Sequence, residues 1–459
     1  MNTVQTVTES EYAPPELDEP PPARWSWPAR FAFRFGVIYC VLFSVMIGQI
    51  LFVFTGFAHR HLPDNAPMWP LIAAEPLLKW VGQSVFGVDA EFHRTSGSGD
   101  QTIIWLMVFS AVVVAAAAAV LWSVLDHRRP AYPRAAAWFL TGLRLCLAGQ
   151  MLFYGIAKAV PTQMPPPPLS ALIQPYGEFS PMSVLWLQVG SAPVYQILLG
   201  VAELAAGLLL LVPRTATLGA MLSVVSMAQV FVLNMTFDVP VKILSFHLLV
   251  FSLILLAPQA RRFADFFLLA RRAEPAVQPP LFTSRRAGRI AGSVHVAIGL
   301  WLVAGVAVLG WSSWRDYGGG VPKPELYGLW EVTEFRIDGR PVPPLLTDET
   351  RWQRLVVETE GAVTWQQMDG TLVTAPAQLD APARTLTVSA SRTSSAPPAP
   401  DSAATPIATF TFARPEPDVL RLDGQLNGRP VTVDLRAGDP AAFRLNGPRF
   451  HWVQETPGL

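Results

Sequence analysis

Six runs of about 20 or more mostly apolar residues, at 31–57, 102–125, 135–160, 192–213, 215–236 and 290–312, constrain this chain more than any other feature. A shorter seventh run lies at 241–258. Runs of this length can cross about 30 Å of hydrocarbon. No water is available there for the backbone, so such segments must fold as helices with internal hydrogen bonds. The expected fold is an α-helical membrane bundle of about seven transmembrane helices, and abundant Ala, Gly and Ser let the helices pack closely. Composition agrees: 51% of residues are hydrophobic and only 15% charged, against about 25% in soluble domains, which excludes an ordinary soluble enzyme. With 34 basic and 34 acidic residues the formal charge is zero, so nucleic acid is not an expected partner and the lipid bilayer is.

The runs divide the chain. Residues 1–30, rich in proline and acid, cannot bury a core and read as a disordered cytoplasmic tail. Their arrangement is wrong for a cleaved signal peptide. Residues 31–130 hold two spans, 131–272 a four-helix bundle and 286–316 the seventh span. Between the first two spans, residues 67–88 carry Trp69, Leu77, Leu78 and Trp80 at the spacing of a helix lying in the outer interface. Residues 161–191 begin with Pro165–Pro168 and continue to Ser180-Pro181, the cap and first residue of a short helix. That segment reads either as a lid over the bundle or as a proline-rich spacer.

Orientation follows from basic residues in the connections. An inside N-terminus puts fourteen arginines on the cytoplasmic side: Arg24, Arg30, Arg34, Arg128, Arg129, Arg134, Arg214, Arg261, Arg262, Arg271, Arg272, Arg285, Arg286 and Arg289. Six basic residues face the other way: Arg60, Lys79, Arg94, Lys158, Lys242 and Arg315. The expected location is a bacterial inner membrane, with the N-terminus cytoplasmic and the C-terminal domain periplasmic.

From Lys323 the texture changes to period-two alternation, in Leu329–Ile337, Arg354–Thr359, Val363–Met368, Thr385–Ser389, Thr409–Ala413, Val419–Leu422 and Pro430–Leu435. Asp369-Gly370 and Asn427-Gly428 are hairpin turn signals. About eight short strands over 323–459 predict an antiparallel all-β barrel or sandwich. The Ser, Ala and Pro stretch from Thr393 to Pro406 reads as a flexible loop within it.

Polar residues inside spans are costly and are the functional candidates. Counting from the ends of their runs puts Arg144 and Glu203 near mid-bilayer, where an Arg144–Glu203 ion pair would satisfy both, as a structural clamp or as part of a ligand site. Lys158 shares a helix face with Arg144, and Tyr154 lies one turn before it. Lys158 either completes this polar stripe or snorkels to the interface. Asn234, Asp238 and Lys242 cluster where the fifth and sixth spans meet, with His247 farther in; Asp238 could pair with Lys242 or Lys158, or cap the helix that Pro240 begins. The ligand-binding candidates are therefore Arg144, Tyr154, Lys158, Glu203, Asn234, Asp238, Lys242 and His247. Any catalytic role falls to Lys158, Glu203 or Arg144.

No metal centre is expected. His247 and His295 differ in depth by more than about 10 Å and cannot share a haem iron. His59 and His61 flank Arg60 in a loop, a weak signal, and Cys40 and Cys146 sit in separate apolar runs without a CxxC pair. No cofactor motif is found.

Arg144, Tyr154-Gly155-Ile-Ala-Lys158, Glu203-Leu-Ala-Ala-Gly207, Pro213-Arg214-Thr215 and the run from Asn234 to Ser245 give spans three to six a resemblance to the DoxX-like family of bacterial integral membrane proteins, over about 130 residues. The resemblance implies a four-helix membrane core, with spans one, two and seven as additions. The family takes its name from a subunit associated with thiosulfate:quinone oxidoreduction, but most members have no assigned activity, and this chain has no redox ligand or flavin motif to carry that chemistry. The β domain, opening on Gly328-Leu-Trp330, is similar to a lipocalin barrel. Together these resemblances imply an accessory or binding protein for a quinone, a lipid or a membrane partner, with an outer β domain that docks a periplasmic protein. The alternative is a membrane-embedded enzyme on a quinone or lipid-like substrate, with Lys158 as base.

Overall fold

The computed structural model describes residues 24–272, 281–390, 406–446 and 453. The membrane part contains α1 (Trp27–Met46), α2 (Gln49–Phe52), α3 (Trp69–Val81), α4 (Thr102–Leu125), α5 (Pro133–Ala159), α6 (Leu169–Ile173), α7 (Pro181–Gly190), α8 (Pro193–Leu211), α9 (Ala216–Thr236), α10 (Lys242–Leu256), α11 (Ala260–Phe263) and α12 (Arg285–Tyr317). Seven helical stretches among the described residues are long and apolar enough to cross a membrane: α1, α4, α5, α8, α9, the run Lys242–Leu268 opened by α10, and α12. Alternation places the arginines of the connections at one end, the arginine end, and the β domain at the other, the barrel end. Arg30 Nη1 donates to the Arg129 carbonyl at 2.9 Å, tying the start of α1 to the α4–α5 turn.

Two boundaries differ from expectation. Of the tail 1–30, residues 1–23 lie outside the described residues, and from Trp27 the chain is already α1, its first turn holding Pro28 and its Ala29 N–H capped by Ser26 Oγ at 3.4 Å. The run 31–57 is not one helix. Helix α1 stops at Met46, and residues 47–61 continue as α2 and a 3₁₀ segment, Val53–His61, broken at Gly56 with φ 52°. A Cβ on Gly56 would sit 2.5 Å from the Trp301 ring of α12, and one on Gly149 of α5 would sit 2.6 Å from Val53. The broken backbone is thus wedged between α5 and α12. Non-helical chain is tolerated at this depth because protein partners replace water: Trp301 Nε1 donates to the Phe54 carbonyl at 2.9 Å.

Helix α3 occupies the predicted interfacial stretch. Leu71 and Leu78 are buried, whereas Trp69, Leu77 and Trp80 stay exposed on its outer face. Near the arginine end, the buried guanidinium of Arg34 joins α1 to α4 and the α4–α5 turn by donating to Tyr132 Oη (2.6 Å), Ser123 Oγ (2.7 Å) and the Asp126 carbonyl (2.9 Å).

The tightest helix contact is α5 on α8. A Cβ on Gly200 would lie 2.3 Å from Ala159 N, one on Gly155 2.7 Å from Leu204 N, and one on Gly207 2.8 Å from Leu152 Cγ. These missing side chains let two antiparallel backbones touch, the usual device for association where helices gain no hydrophobic drive. Gly219 closes α9 on α8 the same way at the arginine end, where its Cβ would lie 2.7 Å from Leu210 N.

The β domain is a closed antiparallel barrel. Strands β1 (Gly328–Ile337), β3 (Trp352–Thr359), β4 (Ala362–Gln367), β5 (Leu372–Asp380), β6 (Thr385–Ser389), β7 (Pro406–Glu416), β8 (Val419–Leu426) and β9 (Arg429–Ala437) pair in sequence, and β1 pairs with β9 to close the ring. The two-residue β2 (Arg340–Pro341) extends β1 by a hairpin. Asn427 and Gly428, with φ 50° and 77°, make the β8–β9 turn that their sequence predicts. Strand β5 was not among the predicted strands, and the loop expected from Thr393 lies outside the described residues up to 405. Inward side chains fill the barrel: Trp352 stacks on Trp365 at 5.4 Å and meets Phe335 and Phe410 edge-on at 5.9 Å. Trp330, in the Gly-x-Trp opening, is buried and donates from Nε1 to the Leu326 carbonyl at 2.9 Å.

Candidate functional site

Between α5, α8, α9 and α10, in their barrel-end halves, lies a cavity of about 220 Å³ roofed by α7. Its walls are mainly apolar, among them Leu185, Val189, Leu199, Met227, Leu233, Phe237, Leu244 and Leu248. Its polar lining includes Tyr154, Lys158, Gln163, Glu203, Asn234 and Ser245. Exposed residues on the same wall, Gln188 and Tyr195, mark where it opens to the side between α7 and α8.

The central contact follows from the glycine packing. Gly155 and Gly200 bring the backbones of α5 and α8 together, and each precedes a charged residue by three positions, so Lys158 and Glu203 project on the same side of the contact. Side chains tilt toward the N-terminus of their own helix. In an antiparallel pair Lys158 therefore reaches down and Glu203 up, and they meet. Lys158 Nζ donates to both carboxylate oxygens of Glu203, at 2.8 and 3.0 Å, and both side chains are buried. The ammonium also lies 5.7 Å from the centre of the Tyr154 ring. Tyr154 Oη accepts from Gln49 Nε2 at 2.8 Å, so the wedge after α1 fixes the tyrosine. On the opposite wall Asn234 Nδ2 donates to Ser245 Oγ at 3.0 Å, joining α9 to α10.

The roof is held from two sides. Trp186 Nε1 of α7 donates to the Gln163 carbonyl at 3.0 Å, while Met164, Leu185, Val189 and Val239 form a small apolar cluster. The Gln196 amide of α8, oriented with Nε2 toward the Met164 carbonyl at 2.7 Å, fastens the chain leaving α5. Farther along, Glu358 of β3 accepts from the N–H groups of Leu169 and Ser170 and from Ser170 Oγ (3.0 Å), and Leu169 and Ile173 pack on Leu329 and Val356. Residues 161–191 are thus a strap from the cavity roof to the outside of the barrel. Ser180 caps α7 as its sequence predicts, with Oγ accepting from Ser183 N at 3.2 Å.

Tyr154, Lys158, Glu203 and Asn234 come together at this cavity, and Arg144, Asp238, Lys242 and His247 do not line it. The expected Arg144–Glu203 pair is replaced by Lys158–Glu203. With Gly155 opposite Gly200 and Leu204, and Gly207 opposite Ala148 and Leu152, counting on along α5 puts Arg144 level with the end of α8 and its turn, near Leu211–Thr215. Depth counted from the ends of apolar runs fails because α5 overhangs α8 at the arginine end. Nor is Asp238 a helix cap: it has φ 51°, an exposed side chain, and an ion pair with Lys242 at 2.7 Å. The α10 N-terminus is capped by Asp100, whose carboxylate accepts from Lys242 N at 2.8 Å and Ile243 N at 3.0 Å. His247 is a structural link: Nδ1 donates to the Ile243 carbonyl at 2.6 Å, Nε2 accepts from Tyr39 Oη at 2.6 Å, and Phe43 stacks on the ring at 3.7 Å.

Sequence reading passed over Gln49, Asp100 and Gln163. Gln49 carried a signal, a polar amide within an apolar run, whereas Asp100 sits in a Ser-Gly loop about 140 residues from the helix it caps. Among the described residues no three His, Cys, Asp or Glu side chains are grouped to hold a metal ion.

No protein-family model matches the chain, and no solved structure matches it. A curated relative does: over 141 residues, 29% of this chain and 81% of the relative, it is 34% identical to "Uncharacterized protein YwoB" of Bacillus subtilis (strain 168). The chain therefore belongs to the same family as YwoB.

Proposed function

We propose that this protein is a membrane-embedded binding protein of DoxX-like type, whose cavity takes up a neutral, mostly apolar small molecule from the bilayer. The observation that carries this reading is the combination of an apolar lining with a single charged pair that is already neutralised internally. Such a pocket gives no net charge for an ionic ligand to meet. Lys158 gives two N–H groups to Glu203 and has one more to offer, which suits a carbonyl oxygen on an otherwise apolar body. A quinone or a lipid fits that description. At about 220 Å³ the cavity is smaller than the roughly 300–1,000 Å³ of pockets that engulf a whole ligand, so it takes one end of the molecule while the rest stays in the bilayer.

By the positive-inside rule the arginine end is cytoplasmic, and in a bacterial inner membrane the barrel is then periplasmic. There it serves as a docking module for a periplasmic protein, since its interior is occupied by its own side chains. Catalysis is the less supported reading. While both carboxylate oxygens hold Lys158 as an ammonium, it has no lone pair with which to act as base.

The test is mass spectrometry of small molecules that co-purify with the wild type and with Lys158→Ala and Glu203→Ala chains in mild detergent. Enrichment of a quinone or lipid in the wild type and its loss in both variants supports the reading. A profile identical to bulk membrane extract for all three sinks it.

A further inference from the structure

Among the described residues Arg144 is a cation without a partner, in a place where cations need one. It makes no hydrogen bond, ion pair or ring contact with any described residue, and its Nε is buried and unpaired. Arg34 shows the contrast, since protein oxygens take four of the five N–H groups of that guanidinium. The acid nearest along the polar stripe, Glu203, is committed through both oxygens to Lys158.

Its position specifies the missing group. Arg144 lies level with the α8–α9 turn, and its side chain leans toward the N-terminus of α5, which is the arginine end. Six residues back, about 9 Å along the axis, stands Trp138, half exposed and edge-on to Phe282 at 5.3 Å. A half-exposed tryptophan at a helix end marks the headgroup level of a bilayer. From below that level, an arginine that leans toward it can snorkel its fork up to the underside of the headgroups. Arg134 and Arg214 belong to the same end of the bundle, so the local field favours an anion.

We propose that Arg144 binds the phosphate of an anionic phospholipid in the leaflet at the arginine end. The planar fork offers two parallel N–H donors to two phosphate oxygens, the geometry in which a guanidinium binds phosphate best. This site is separate from the cavity at the barrel end and does not depend on what the cavity holds.

The test uses the full chain in nonionic detergent micelles doped with phosphatidylglycerol or phosphatidylcholine, with retained lipids counted by native mass spectrometry. Wild type is expected to retain phosphatidylglycerol over phosphatidylcholine. Arg144→Gln should lose about five-fold in that retention, as expected for one arginine near the surface, Arg144→Lys should keep much of it, and Arg340→Gln, on the exposed β2 hairpin of the barrel, should match wild type. Inorganic phosphate, added to lipid-free micelles, separates the two sources of the group: binding of phosphate alone, without lipid retention, overturns the lipid assignment. Equal phosphatidylglycerol retention by wild type and Arg144→Gln overturns the site. If Arg144→Gln is not monodisperse, Arg144→Lys decides between a bidentate and a point-charge contact: retention equal to wild type overturns the bidentate contact, and a partial loss supports it.

Discussion

Lys158 and Glu203 meet as a bidentate ion pair because Gly155 and Gly200, each three residues earlier, remove the side chains that would hold α5 and α8 apart. The pair and the glycines are one design, and they fail in different ways.

Breaking the pair from one side leaves a buried charge uncompensated. Glu203→Gln or Lys158→Met is expected to destabilise the bundle by about 3–5 kcal/mol. The double change Lys158→Met with Glu203→Leu should recover most of it, because two charges need no longer be desolvated. Thermal unfolding in detergent would measure this, and a double variant no better than the singles would show that the pair is not the source of the loss.

Gly200→Ala places a Cβ 2.3 Å from Ala159 N, against backbone that cannot swing aside. A loss of about 1–3 kcal/mol is expected, with the helices pushed apart and the Lys158–Glu203 contact lengthened. Gly142→Ala in the partner helix α5, where nothing lies within 4 Å of the new Cβ, should be neutral or mildly stabilising. Equal melting temperatures for the two variants would contradict the close-packing account.

Releasing the strap should loosen the roof without unfolding the barrel. Glu358→Ala removes the acceptor shared by Leu169 N, Ser170 N and Ser170 Oγ. The expected result is faster proteolysis within 161–180 and faster hydrogen exchange in α7, with strands β3 and β4 unchanged. Exchange in α7 identical to wild type would mean that the roof is held by Trp186 and Met164 alone.

Acid should weaken the barrel. The N–H groups of Arg351 and Thr350 hold the Asp348 carboxyl below its usual value, and the Arg421 guanidinium does the same for Asp423. A carboxyl lower in the folded chain than in the unfolded one contributes its stabilisation in full above the unfolded value of about 3.9, and loses it as pH falls through the folded value. Hydrogen exchange of β8 and β9, corrected for intrinsic rates, should be flat from neutrality to about pH 5 and rise below about pH 4. Asp423→Asn should flatten that rise.

The membrane count was legible because hydrocarbon imposes length and polarity on every span, and the barrel because period-two alternation survives in seven of its strands. Strand β5 escaped because Leu372–Asp380 carries Pro376 and few buried side chains, which weakens the alternation. The break after Met46 escaped because apolar composition cannot tell a helix from a wedge buried between helices; only the contacts of Gly56 and Gly149 decide it. Four of the eight ligand-binding candidates line the cavity. Arg144 was misplaced by assuming that helices end together; of the readings open for Asp238, the pair with Lys242 forms, while the capping role belongs to Asp100 in another loop.

The pairing of β1 with β9 bears on how another protein could join this one. Among the described residues the main ladder of the barrel has no free edge, and the only strand attached beyond it is the two-residue β2. A partner cannot enlist by lengthening the sheet, a recurring way for a peptide or a β protein to join another. Recognition must instead read side chains on the barrel wall, the turns, or the strap itself. A partner gripping the strap would be pulling on the roof of a membrane cavity.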